Sequence, residues 1–310
     1  MTEKKLVVVL GPTCTGKSAL GIEIAKKFDG EIINCDSMQV YKGFDIGTDK
    51  VPLSLRKEVR HHLLDILNYT QQFTAADFAR LAKKAISDII SRGKLPIVVG
   101  GTGLYIRALL NGIFPGPGRD DKLRAKLKKE AKEKGISYLR EELEKIDPVY
   151  ARIIGENDEM RIIRALEVYY LTGKPITEHF KNTRSELNDF HKIKIGLILE
   201  RKELYRRINE RVERMFASGM VEEVKELLKK GVSPDSPPFR ALGYKYALKV
   251  AQGEMPEKKA ILLTQRDTRR YAKRQIIWFR KEKDVKWFFS HERDKIFDFL
   301  EKELKWKEPS

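Results

Sequence analysis

The sequence predicts an α/β fold: a parallel sheet flanked by helices and carrying an all-helical insertion. Three observations predict it. Short, almost wholly apolar segments alternate with helix-patterned ones over residues 6–99, the order that builds a parallel sheet with helices on its faces. Residues 119–188 are highly charged and helix-patterned, with no strand candidate. Strand pattern then returns at residues 193–199, so the charged stretch interrupts one core instead of following it. The expected division is a core of residues 1–115 and 190–310 and an insertion of residues 116–189.

Taken in order, residues 6–10 (LVVVL) form a near-continuous apolar run, as in a strand buried on both faces. Residues 17–28 read as a helix whose apolar positions are Ala19, Leu20, Ile22, Ile24, Ala25 and Phe28. Residues 31–35 are a second short strand, ending at Asp36-Ser37. Thr74 stands three residues before Asp77, a capping box that opens a helix running to Ser91, where Arg92-Gly93 stops it. Residues 95–99 are another buried strand, closing on Gly100-Gly101-Thr102-Gly103. Ligands of such sheets collect beyond the carboxyl ends of the strands, so the loops at residues 11–18, 36–41 and 100–105 are expected to converge. Phe114-Pro115-Gly116-Pro117-Gly118 marks a hinge. Long basic helices are expected after residue 199, broken at residues 231–238.

Composition narrows the function classes. Lys and Arg number 62 against 45 Asp and Glu, a formal charge of +17. The many solvated surface pairs of a heat-adapted protein would explain the number of charges but not the excess of one sign, so nucleic-acid phosphates are the expected large partner. No apolar run reaches the length of a membrane span, and the apolar segment near the N-terminus is too short for a signal peptide. A cytoplasmic, monomeric protein is expected. The two cysteines, Cys14 and Cys35, form neither a CxxC pair nor part of a Cys/His cluster, which supports neither a disulfide framework nor a zinc site.

Gly11-Pro12-Thr13-Cys14-Thr15-Gly16-Lys17-Ser18 fits G-x-x-x-x-G-K-[ST] between an apolar strand and an apolar-periodic helix. This is a P-loop-type phosphate cradle: the glycines let successive N–H groups face one anion, Lys17 adds a full charge, and Ser18 can ligate Mg²⁺. The strand at residues 95–99 ends in glycines, so the best acidic candidate is Asp36. Two chemistries suit it. In a small-molecule kinase Asp36 deprotonates the acceptor of a phosphoryl group. If the bound anion is instead a diphosphate leaving carbon, Asp36 takes a proton from the attacking nucleophile, which Thr102 holds in line.

Residues 265–281 carry seven Lys or Arg against one Asp, and Arg266, Arg270, Lys273 and Arg274 recur at helical spacing, making one cationic stripe. Tyr271, Trp278 and Phe279 are interleaved; aromatics at this spacing serve base stacking or, more often, the core. Arg161 and Arg164 form a second basic pair. Residues 119–134, with mixed charge, read as a solvated face. His61 and His62 have core or capping roles as the ordinary expectation.

The cradle, Asp36-Ser37-Met38-Gln39-Val40-Tyr41, His61-His62-Leu63-Leu64-Asp65, Val99-Gly100-Gly101-Thr102-Gly103-Leu104-Tyr105, Arg164-Ala165-Leu166-Glu167-Val168, Gly243-Tyr244 and Ala272-Lys273-Arg274-Gln275 together resemble the tRNA dimethylallyltransferase (isopentenyltransferase) family of bacterial type. The likeness spans nearly the whole chain. It implies transfer of a dimethylallyl group from dimethylallyl diphosphate to the exocyclic amine of the adenosine at tRNA position 37, beside the anticodon, with Mg²⁺ on the diphosphate. By the same resemblance Asp36 is the general base and Thr102 contacts the adenosine. Gly11, Thr13, Cys14, Thr15, Gly16, Lys17, Ser18 and Arg211 hold the diphosphate, although Arg206, Arg207 and Arg214 share the helix of Arg211 and spacing does not choose among them. The tRNA contacts so implied are Asp36, Ser37, Met38, Gln39, Thr102, Arg124, Arg161, Arg164, Arg240, Gly243, Tyr244, Arg270, Lys273 and Arg274, the insertion among them. Cys14 departs from the small residue expected there. A kinase, and a tRNA-binding protein with a vestigial cradle, are the rival readings.

Overall fold

The computed structural model describes residues 3–114, 116–181 and 183–305. The chain divides into two compact units, one of residues 1–109 and 188–310 and one of residues 110–187.

The larger unit is built on six parallel strands: β1 (Lys4–Leu10), β2 (Gly30–Cys35), β3 (His61–His62), β4 (Leu95–Gly100), β5 (Phe190–Ile198) and β6 (Val285–Phe289). Their order across the sheet is β3-β2-β4-β1-β5-β6. Its first helices are α1 (Lys17–Lys27), α2 (Leu53–Glu58), α3 (Ala75–Ser91) and α4 (Gly103–Asn111), the last reaching the second unit. The helical unit holds α5 (Asp121–Lys134), α6 (Ile136–Ile146), α7 (Pro148–Ile153), α8 (Glu159–Thr172) and α9 (Ile176–Lys181). Then α10 (Arg201–Ala217), α11 (Met220–Lys229), α12 (Tyr244–Ala251), α13 (Glu257–Phe279) and α14 (Arg293–Leu304) complete the larger unit.

Strands β1, β2 and β4 are enclosed on both faces, which is why β1 and β4 read as nearly solid apolar runs, while β2 buries Glu31 and Asn34 beside its isoleucines. Val7, Val9, Ile32, Ile97, Ile195 and Leu197 meet Leu20, Ile24 and Ala25 of α1 and Ile296 and Leu300 of α14 in one core cluster. The capping box of α3 is present in both directions between Thr74 and Asp77. Register aligns Leu10 with Gly100 and Cys35 with Gly100. The loops after β1, β2 and β4 therefore leave the sheet side by side, at the point where strand order reverses between β4 and β1. A separate core of the same unit packs Val40, Tyr41 and Phe44 against α10, α11 and α12.

Three expectations change. Residues 285–289, taken as part of a run of helices, form the edge strand β6, because the VKWFF segment pairs with β5 from Lys194↔Val285 to Ile198↔Phe289. The loop expected to reach residue 105 gives way to α4 at Gly103. The unit boundary falls at residues 109/110, inside α4, and not at the Gly/Pro run, since Phe114 packs into the helical unit against His179 and Phe180. Pro115 of that run lies outside the described residues. The helical unit's own core is Leu127, Leu139, Leu143, Ile162, Ile163 and Leu166 with their neighbours.

Candidate active site

The cradle begins where β1 ends. Gly16 is the N-cap of α1 in the left-handed region, φ 84°, a conformation costly for any residue with a Cβ. No side chain caps α1 and its first turn holds no acid, so the orphan N–H groups and the positive helix end are open to an anion. The loop is braced from behind: Thr15 Oγ1 donates to the Pro12 carbonyl at 2.9 Å and Ser290 Oγ to the Thr15 carbonyl at 2.7 Å. Lys17 Nζ donates to the Pro12 carbonyl at 2.6 Å. Burial pulls the Lys17 pKa down to about 8; Arg211 adds to the fall, while Cys14 and Asp36 oppose it.

Across the crevice between β1 and β4 lies Gln275 of α13. Its Oε1 accepts from Thr13 N at 2.9 Å and its Nε2 donates to the Gly101 carbonyl at 2.8 Å, so one amide ties the cradle to the loop bearing Thr102. Thr102 Oγ1 is buried without a hydrogen bond of good geometry among the described residues. Asp36 Oδ1 accepts the N–H groups of Met38 at 2.8 Å and Gln39 at 3.3 Å, which fixes the carboxylate at the end of β2.

Two cavities open on this constellation. One, of about 360 Å³, is lined by the cradle residues Thr13, Cys14, Gly16, Lys17 and Ser18, by Asp36, and by Arg207, Arg211 and Arg214 of α10. The other, of about 340 Å³, is lined by Asp36, Ser37, Met38, Arg240, Gly243 and Arg274. Asp36, Thr13, Thr48, Arg211 and Tyr271 belong to both walls. A carboxylate common to an anion cradle and a second chamber suits chemistry between a phosphorylated donor and a separate acceptor.

The sequence model of the IPP transferase family matches residues 39–282. The chain belongs to that family. Among its relatives, a tRNA dimethylallyltransferase of Geobacter sulfurreducens is 48% identical over 92% of this chain and 92% of its own length. One from Carboxydothermus hydrogenoformans is 50% identical over 93% and 92%. The solved full-length tRNA isopentenylpyrophosphate transferase of Bacillus halodurans superposes with a TM-score of 0.72 at 38% identity, covering 97% of each chain. A structure of a eukaryotic dimethylallyltransferase acting on tRNA gives 0.78 at 31% identity, covering 94% of this chain and 75% of that one.

Within this IPP transferase, Arg207, Arg211 and Arg214 of α10 all line the cradle cavity. Arg211 lines both cavities, with Nη1 3.3 Å from Asp49 and a buried, unpartnered Nε; Arg207 and Arg214 line the first cavity only. Arg206 is turned away onto Glu203 and Glu210. Ser18 lines the first cavity, and no group of three or more His, Cys, Asp or Glu able to hold a metal exists among the described residues. These donors fit an ion carried chiefly by diphosphate oxygens.

One expected RNA contact is corrected. Tyr244 is wholly enclosed among Phe44 and Phe239, its hydroxyl bonded to Glu223, so no RNA reaches its side chain. Thr15 is likewise fully buried and can offer a ligand only its backbone. His61 and His62 have partners: Nδ1 of His61 meets the Val59 carbonyl at 2.7 Å, and Nε2 of His62 meets Glu31 at 2.6 Å. Arg270, Lys273 and Arg274 are exposed on α13, whereas Phe279 is core. In the helical unit Arg161 makes only a 3.4 Å pair with Asp158, while Arg124 and Arg164 both bind Glu167. Thr48, Asp49 and Ser290 were invisible as site residues, having no local spacing to mark them. No described helix is long and apolar enough to cross a membrane.

Proposed function

We propose that this IPP transferase moves the dimethylallyl group of dimethylallyl diphosphate onto the exocyclic amine of the adenosine at tRNA position 37, beside the anticodon. The observation that carries the reading is Asp36, standing in the wall common to the cradle cavity and the chamber edged by Arg240 and Arg274. The diphosphate lies against the open N-terminus of α1, Lys17 and Arg211. The adenosine leaves its stack to enter from the other chamber, where Ser37, Met38, Gln39 and Gly243 surround it. Its amine nitrogen attacks C1 of the dimethylallyl group and the C1–O bond breaks, the electron pair leaving with the diphosphate. Asp36 accepts the proton the amine loses, and the buried Thr102 hydroxyl holds the amine in line. Ser18, which lines the cradle cavity, would hold a Mg²⁺ ion bound with the diphosphate, and such an ion would supply countercharge for the leaving group.

Arg270, Lys273 and Arg274, with Arg124, Arg161 and Arg164 of the helical unit, are the proposed backbone contacts. The reading carries with it a monomeric enzyme working in the cytoplasm. Incubation with Mg²⁺, radiolabelled dimethylallyl diphosphate and unmodified tRNA should place label in the RNA and none without Mg²⁺. Consumption of ATP with no label in RNA would make the protein a kinase instead. Asp36→Ala should lower the single-turnover rate by about 100-fold or more with little change in tRNA affinity; an unchanged rate would remove it as the base.

A further inference from the structure

The loop of residues 45–49 sits between the two cavities and touches the site at three places. Thr48 lines both cavities and Asp49 lines the first. The carbonyls of Thr48 and Asp49 accept from Gln39 Nε2 at 3.0 and 3.4 Å, and Asp49 Oδ2 meets Arg211 Nη1 at 3.3 Å. The orientation of the Gln39 amide and of the Arg211 guanidinium is therefore set by where this loop lies.

Two residues outside the site, Glu223 and Tyr244, bond its backbone, while Lys50 holds the Asp45 side chain. Glu223 Oε2, from α11, accepts the N–H groups of Asp45 at 3.2 Å and Ile46 at 3.1 Å. Glu223 Oε1 accepts the Tyr244 hydroxyl, whose oxygen accepts Gly47 N–H at 3.0 Å. Three successive backbone N–H groups thus end on one carboxylate–phenol pair, with no side chain of the loop involved. The approach is close: a Cβ on Gly47 would come within 2.8 Å of the Tyr244 ring and of Met220 Sδ. Burial raises the Glu223 pKa above its ordinary value although the bonds from Tyr244, Ile46 and Asp45 oppose it. Neither Glu223 nor the Tyr244 hydroxyl lines either cavity.

We infer that Glu223 and Tyr244 are positioning residues for prenyl transfer, holding the 45–49 loop so that Asp49 fixes Arg211 on the diphosphate and the loop carbonyls fix Gln39. The inference rests on the prenyl-transfer reading. Tyr244→Phe is the sharpest test, because it keeps the ring against Phe44, at 5.1 Å between centroids, and deletes only the hydroxyl. KM for dimethylallyl diphosphate should rise about tenfold, the scale of one buried hydrogen bond lost, in protein that still folds, with its thermal midpoint lowered by only about 2–4 °C. Glu223→Gln keeps an acceptor for the loop amides and should lie between wild type and Tyr244→Phe, whereas Glu223→Ala should be the worst of the three.

The decisive measurement is a double-mutant cycle with Asp49→Ala. If the pair acts through Asp49 and Arg211, Tyr244→Phe should add less than about twofold to KM once Asp49 is gone. A tenfold effect that persists in the Asp49→Ala background overturns the inference, as does a wild-type KM in Tyr244→Phe. Inorganic diphosphate binding, followed by calorimetry, must weaken in parallel. Wild-type protein that transfers no label to tRNA would defeat the functional reading itself; wild-type transfer with an unaltered Tyr244→Phe defeats only the positioning role.

Discussion

The helical unit and helix α13 both carry arginines expected to meet RNA, and they hold them in opposite ways. In the helical unit, Arg124 of α5 and Arg164 of α8 converge on the fully buried Glu167 at 2.8 and 2.5 Å, and the Asp120 N–H joins them at 2.9 Å. Burial alone would raise the Glu167 pKa, but the hydrogen bonds from Arg124 and Arg164 outweigh it and take the group to about 2. On α13 one carboxylate, Asp267, holds Lys245 at 2.7 Å and Arg266 at 3.0 Å. Arg270 is 3.9 Å away and 65% exposed, and among the described residues no ion pair reaches Lys273 or Arg274. The first arrangement locks two helices together; the second leaves charge facing solvent. A net charge counts both alike.

The largest effect that would sharpen this contrast is at Glu167. Glu167→Ala leaves two guanidinium groups facing each other across an emptied, enclosed position, and the helical unit should lose about 3 kcal/mol or more. Hydrogen exchange in α5 and α8 reads that loss directly. Asp267→Ala, whose partners are mostly solvated, should cost about 1 kcal/mol or less. Equal costs would break the comparison. Its pH dependence has a definite sign: because the folded pKa of Glu167 lies below its ordinary 4.5, its stabilisation is complete above that value and fades as pH falls through about 2.

Such distinctions mark the boundary of what the chain reveals on its own. Strands β1 and β4 were legible because burial of a parallel strand on both faces leaves a nearly unbroken apolar run, and β2 and β5 because isoleucines still dominate their buried positions. The edge strand β6 is largely half-exposed, and VKWFF between Asp284 and Ser290 is then indistinguishable from one side of an amphipathic helix. The cradle, Asp36 and Thr102 were legible because local spacing puts them on loops that a parallel sheet must bring together. Gln275, Asp49 and Glu223 act across tens or hundreds of residues, through contacts that no spacing encodes. Tyr244 was misplaced for the same reason: Phe44, against its ring, comes from a segment 200 residues away, and Glu223, which takes its hydroxyl, from another helix.

Lys17 represents a third way of holding a cation, with a carbonyl at 2.6 Å and, among the described residues, no carboxylate within a salt bridge. Its pKa in the free protein is about 8, and a bound diphosphate must raise it. The charge is therefore fully present only well below pH 8, and affinity for diphosphate should fall as pH rises through that value, by about tenfold at pH 9. Calorimetry with inorganic diphosphate between pH 7 and 9 checks this, with proton uptake on binding near pH 8 as its companion signal. Lys17→Arg should flatten the profile, since a guanidinium stays charged throughout. A flat wild-type profile would mean that the lysine is charged across the range despite its burial.

The smallest effect separates the two arginine regions most cleanly. Arg270→Ala removes one exposed cation and no packing, so tRNA affinity should drop roughly threefold, and the slope of log affinity against log salt should fall by nearly one. Stability should stay within about 0.5 kcal/mol. Arg124→Ala should do the reverse: the guanidinium is already partly neutralised by Glu167, so fewer counterions are released at it, and its loss strands half of the demand of a buried carboxylate. A smaller change in slope with a larger loss of stability is the expected pair of results. If both variants shift the slope equally and neither shifts stability, the Glu167 arrangement opens when RNA binds, and the helical unit then presents its arginines as freely as α13 does.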